Sequence, residues 1–163
     1  MNAPWIRTVV FGSVLACGMV AGILFAFSSF VMQALSRLPS ERGIAAMQAI
    51  NVSAVNVPFM ALFMGCSVAN LVVGVLAATH LSDPGTKLLL VASLLYLLGC
   101  FLVTVAFNIP LNDALAVVKP ESSEASQLWQ RYLPQWMLWN HIRTLFSFLA
   151  AAAYLSGLLA LSK

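Results

Sequence analysis

Residues 88–107 read LLLVASLLYLLGCFLVTVAF. The run carries no charge, and a helix needs about 20 mostly apolar residues to cross the hydrocarbon core of a bilayer. Read this way, the stretch fixes the fold class, because a helix satisfies its own backbone groups where water is absent. The rest of the chain agrees. Of its 163 residues 61% are hydrophobic and 8% charged, against roughly 45–50% and about 25% in a soluble domain. The mean hydropathy is +0.94.

Four runs qualify as spans, over residues 8–36, 57–79, 87–109 and 139–162, and none has an Asp or Glu in its interior. The expected architecture is a single all-α membrane domain over residues 1–163, a four-helix transmembrane bundle in a multi-pass integral protein of the cell membrane. The alternation of a membrane β-barrel is absent. VLAC at 14–17 has the look of a lipoprotein cleavage box, but the apolar run continues to Val31 and Met32. That is longer than a signal-peptide core of about 7–15 residues, so the first run is read as an uncleaved helix.

The connections are unequal. HLSDPGTK, residues 80–87, is a short turn with Asp83, Pro84 and Gly85 as breakers, which makes the second and third spans antiparallel neighbours. The other two connections are long and lie together on the opposite side. Each is expected to hold a short interfacial amphipathic helix. The first starts at Ser40 and Glu41 after Pro39. The second carries Leu128, Trp129, Tyr132 and Trp136 at helical spacing. Trp and Tyr favour the headgroup level, so it is expected to lie on the membrane and lead into the fourth span.

The net charge is +3. Eight basic residues with no cluster do not track a phosphate backbone, so the expected partner is the lipid bilayer and not nucleic acid. Cys17, Cys66 and Cys100 each sit in an apolar run and read as small core residues. GMVAG at 18–22 has the small-xxx-small spacing, which fits close packing inside the bundle or a contact in a homo-oligomer.

Polar groups gather at one boundary. WNHIRT, residues 139–144, opens the fourth span. At 100° per residue Trp129, Tyr132, Trp136, Asn140 and Arg143 fall on one stripe, with Thr144 and His141 on adjacent faces. Thr104 and Asn108 share a face near the end of the third span, where Pro110 ends or bends the helix and Asn112 follows. Gln48, Asn51 and Asn56 come from the first connection, and Ser28 and Ser29 from FAFSSF at 25–30. These groups are expected to line one pocket with aromatic walls. A titratable imidazole beside Arg143 at the edge of hydrocarbon marks a functional candidate. His80 and His141 open opposite sides of the membrane, about 30 Å apart, and cannot share a metal. No metal site is predicted; copper on His141 with Met60 and Met64 is the alternative.

Four of these stretches, FAFSSFVMQALSRLP (25–39), GIAAMQAIN (43–51), VTVAFNIPLNDALA (103–116) and WQRYLPQWMLWNHIRT (129–144), resemble the anthrone-oxygenase-like membrane proteins. The most specific parts are N-x-P-L-N at 108–112 and W-N-H-x-R-T at 139–144. The resemblance implies insertion of oxygen into a hydrophobic aromatic of the anthrone type, with no bound cofactor assigned. By that analogy His141 is the general base. Arg143, Asn108 and Asn112 stabilise the anion and reduced oxygen. Tyr132, Trp136 and Trp139, with Asn140, Asn51 and Gln48, hold the substrate. The competing reading is a non-enzymatic membrane protein, a small transporter or complex subunit, using the same polar groups for binding.

Overall fold

The computed structural model describes residues 4–82 and 85–161. Asp83 and Pro84 of the short turn, and Lys163, lie outside the described residues. The chain is 89% helical, and four helices are long and apolar enough to cross a membrane. Helix α1 spans Pro4–Ser36, α2 Ser40–Ala54, α3 Val57–Ala78, α4 Thr86–Ala116 and α5 Ser123–Ala160. In the ring α1–α3–α4–α5 each helix packs on its two neighbours, and α5 closes back onto α1. The connections make every neighbour antiparallel.

At 1.5 Å per residue α3 is about 33 Å long, the thickness of a bilayer core. On the same basis α1, α4 and α5 reach roughly 50, 46 and 57 Å. The excess projects on the side of the long connections, and α2 packs against it. Two cores result. One fills the spanning bundle around Val10, Cys17, Val20, Cys66, Val73, Tyr96, Cys100 and Tyr154. The other lies under α2 and joins Met32, Leu35, Ile44, Met47, Leu115, Trp129, Tyr132 and Trp136.

The second core corrects the reading of the second long connection. Its segment is helical as expected, but it is the first part of α5, continuous through Pro134. It does not lie flat on the membrane. Trp129, Tyr132 and Trp136 are buried because their stripe continues into Asn140 and Arg143, which face inward. The true connection is residues 117–122, closed by Ser122, whose hydroxyl accepts from the Ala125 N–H at 3.1 Å and caps α5.

Pro110 does not end its helix either. α4 runs on to Ala116, after π-helical turns at Leu97–Leu102 and Thr104–Asn108. A proline in a helix has no N–H and crowds the carbonyl four residues back. The widened turn just upstream accommodates that crowding, and such turns recur at functional sites. α1 has a π-helical turn of its own at Phe27–Val31, facing α5 where the polar residues gather.

The closest helix approaches need glycine. Gly85 opens α4 with φ +77°, and a Cβ there would meet the Gly157 carbonyl at 2.6 Å. A Cβ on Gly99 would overlap the Phe146 ring of α5. Substitution Gly99→Ala is expected to lower stability by about 1–3 kcal/mol, the usual cost of overpacking, read as a lower midpoint of thermal unfolding in detergent. An unchanged midpoint would mean that α4 and α5 are not in this contact.

Candidate functional site

Arg143 is 6% exposed, inside the bundle between α4 and α5. It stands 17 residues before Ala160, roughly 26 Å along the helix, which places it just within the hydrocarbon boundary on the side of the long connections. A cation there is costly unless it is held. One guanidinium nitrogen donates to Asn140 Oδ1 at 2.6 Å and the other to Thr104 Oγ1 at 3.2 Å. Its carbon lies 5.3 Å from the centroid of the Trp136 ring, a cation–π contact. These partners are an amide, a hydroxyl and a ring face, none of them a carboxylate. The Arg143 Nε, the Asn108 Oδ1 and the Ser147 hydroxyl are buried with no hydrogen-bond partner.

Asn140 passes this polarity outward. With Oδ1 accepting from Arg143, its Nδ2 donates to the Leu24 carbonyl at 2.8 Å and to Ser28 Oγ at 2.7 Å. Ser28 thus accepts from Asn140 and donates its own hydrogen to Thr144 Oγ1, because the Thr144 hydroxyl already donates to the Asn140 carbonyl at 2.8 Å. Its oxygen lies 3.3 Å from the Thr144 hydroxyl. The π-helical turn of α1 carries Ser28 in this position. A relay therefore runs Arg143–Asn140–Ser28 from the interior of the bundle to its surface.

At that surface α1 and α5 form a lateral groove of about 630 Å³, within the usual range for small-molecule sites. Ser28, Ser29, Thr144 and His141 supply its polar wall, and Phe25, Leu145 and Phe148 its apolar one. Gly18, Ala21 and Gly22 make the floor. A Cβ on Gly18 or Gly22 would meet nothing within 4 Å, so the small-residue spacing opens a groove here and does not pack two helices inside the bundle.

The expected single pocket is thus two places. His141 is exposed on the groove, while Arg143 faces the bundle interior on the other side of α5. Two residues apart on a helix they point about 160° from each other, and only the Asn140–Ser28 relay links their environments. Met60 and Met64 are not among the residues that line the groove.

The aromatic residues expected to stack on a ligand are packed on one another. Asn112 Oδ1 accepts from the Tyr132 hydroxyl at 2.8 Å and from Trp136 Nε1 at 2.9 Å. Trp129, Tyr132 and Trp136 stack in sequence, and Trp139 stacks on Phe107 with centroids 3.6 Å apart. The Asn51 Nδ2 is buried with no hydrogen-bond partner. Asn108 Nδ2 donates to the Trp136 carbonyl at 3.3 Å. Gln48 donates to the carbonyls of Leu115 and Val118 at 2.8 and 3.0 Å, capping the end of α4. Asn56 caps its own helix through the Phe59 N–H. Trp136, with Asn108, Asn112 and Tyr132 around it, builds the wall beside Arg143, whereas Gln48 and Asn56 serve as helix caps. Phe25 is one of the FAFSSF phenylalanines expected among the aromatic walls; sequence reasoning missed the groove-lining Phe148, which looks like an ordinary lipid-facing residue until α1 and α5 are set side by side.

The model of the family described as anthrone oxygenase matches residues 54–153. That range holds α3, α4 and the part of α5 carrying His141 and Arg143. No curated protein and no solved structure matches the chain.

Asn112 is the shared acceptor of the aromatic wall. Replacement by Leu leaves the Tyr132 hydroxyl and the Trp136 indole N–H without it, at about 1–3 kcal/mol per buried unsatisfied group. Asn112→Leu is expected to lower the unfolding midpoint more than Tyr132→Phe does, and to shift Trp fluorescence. Equal midpoints would remove Asn112 from this role.

Proposed function

The chain belongs to the anthrone oxygenase family, and on that premise we propose that it oxygenates a flat, hydrophobic, anthrone-type aromatic in the groove between α1 and α5. The observation that carries the reading is the meeting, in one lipid-facing groove, of an imidazole with the outer end of a relay from a buried guanidinium. The protein works in the cell membrane, and the substrate enters from the bilayer in which it already dissolves.

The rings lie over the flat floor of Gly18, Ala21 and Gly22, against Phe25 and Phe148. The substrate carbonyl takes the hydrogen of the Ser28 hydroxyl, which turns from Thr144 Oγ1 to donate to it. His141 removes a proton from the ring CH2. The anion is stabilised as a phenolate, and its oxygen is where Ser28 donates. Arg143 cannot touch that oxygen, but through Asn140 it orients and polarises Ser28, so positive potential rises where negative charge develops. The electron-rich anion reduces dioxygen and forms a carbon–oxygen bond, giving a peroxide at the former CH2. Protonation, then loss of water with the second C–H hydrogen, leaves a carbonyl. The balance is CH2 plus O2 to C=O plus H2O. The substrate anion supplies the electrons, so this sequence calls for no cofactor.

The roles assigned here differ from those the family resemblance implied. His141 remains the base. Ser28 replaces Asn108 and Asn112 at the oxyanion, and Phe25 and Phe148 replace the tryptophans as stacking partners.

The test is oxygen uptake with an anthrone in proteoliposomes, corrected for spontaneous oxidation. His141→Ala is expected to lower kcat by about 10²-fold or more, the usual contribution of a positioned base. Gly22→Phe, which fills the groove and removes nothing from the bundle core, is expected to raise KM sharply. Full turnover by His141→Ala, or an unchanged KM in Gly22→Phe, would overturn the reading. So would loss of activity on stripping metal and its return on adding copper or iron.

A further inference from the structure

The bundle interior holds a second polar cluster that the oxygenation does not use. Cys17 on α1 and Cys66 on α3 are 49 residues apart in sequence, yet their sulfurs are 3.6 Å apart, both buried. All three cysteines are free. Cys66 is nine residues from the start of α3 and twelve from its end, roughly 14 and 18 Å along the helix, near the middle of the membrane.

A buried asparagine is built onto this pair. Asn70 Nδ2 lies 3.4 Å from Cys66 Sγ and 3.6 Å from Cys17 Sγ, while it donates to the Cys66 carbonyl at 2.8 Å. The direction of its amide is set from the other side. The Tyr154 hydroxyl donates to Asn70 Oδ1 at 2.9 Å, and Ser93 Oγ lies 2.7 Å from that hydroxyl. An amide oxygen accepts and does not donate, so the N–H side is held toward the sulfurs. Packing alone does not call for this arrangement. An amide at mid-membrane is costly, and three helices besides α3 contribute groups around it.

We propose that Cys17 and Cys66 form a redox-active dithiol, oxidised by apolar organic hydroperoxides to a disulfide that ties α1 to α3. The Cys66 sulfur, with the Asn70 N–H stabilising its thiolate, attacks the peroxide O–O bond, giving a sulfenic acid and an alcohol. The Cys17 thiol then displaces water from the sulfenic sulfur. The balance is two thiols plus ROOH to one disulfide, ROH and H2O; the thiols lose two electrons and the peroxide gains them. An apolar oxidant is specified because the pair lies in hydrocarbon. On α1, Gly18 and Ala21, which line the lateral groove, follow Cys17.

The test uses the full chain in liposomes, treated with cumene hydroperoxide or hydrogen peroxide and then denatured for thiol titration. Cumene hydroperoxide is expected to lower the titre from three thiols to one. A dithiol reductant should restore it, and mass spectrometry should find the peptide linked through Cys17 and Cys66. Hydrogen peroxide at equal concentration is expected to act at least tenfold more slowly. Cys100→Ser should go from two thiols to none, and Asn70→Leu should slow the oxidation without changing which residues pair. Retention of all three thiols by the wild type, loss falling on Cys100, or equal rates with the two peroxides would overturn the proposal.

Discussion

The guanidinium of Arg143 sits inside a membrane bundle with no acid among the described residues to neutralise it, and the polar half of the molecule is arranged around that fact. Insertion of an arginine at a helix centre costs about 2.5–3.5 kcal/mol on translocon-based scales. Hydrogen bonds to a charged group return about 1.5–3 kcal/mol each, and Arg143 donates two, to Asn140 and Thr104, besides facing the ring of Trp136. Trp136 must then be fixed, and Asn112 fixes it together with Tyr132. Asn140 must present its oxygen inward, which turns its N–H toward Ser28. Holding the cation thus prepares the groove wall on the far side of α5.

Backbone geometry serves the same end. Three π-helical turns occur among the described residues, at Phe27–Val31, Leu97–Leu102 and Thr104–Asn108. The first presents Ser28, and the last contains both Thr104 and Asn108. The widened turns, which also leave room for Pro110, lie where side chains must reach across to α5. The second core beneath α2 braces this end of the bundle and closes it on the side of the long connections. Access from the lipid is left between α1 and α5, where Gly18 and Gly22 keep the floor open.

Much of this was legible in the sequence. Spans follow from hydropathy and length, and the inward stripe Trp129–Tyr132–Trp136–Asn140–Arg143 follows from helical spacing. Two inferences failed for identifiable reasons. A Trp/Tyr-rich segment suggests an interfacial helix, but tertiary packing carries it into α5 as a buried extension; at Pro110, an end or a bend by the sequence, α4 runs on. His141 and Arg143 are neighbours in WNHIRT, yet two residues along a helix means nearly opposite faces. Whether their environments are connected depends on which helix packs beside each face, and no periodicity within α5 reveals that α1 brings Ser28 there. The Cys17–Cys66 pairing was hidden for the same reason, since it depends on the relative register of two uniformly apolar helices.

The proposed oxygenation requires that a flat aromatic bind in the groove between α1 and α5. An experimental structure of the protein in lipid with a bound anthraquinone, the product analogue, addresses this directly. The account predicts the quinone over Gly18 and Gly22, one carbonyl oxygen within hydrogen-bonding distance of the Ser28 hydroxyl and the His141 ring against the opposite carbon. A quinone bound among Trp136, Trp139 and Tyr132, or on any other face of the bundle, would contradict it.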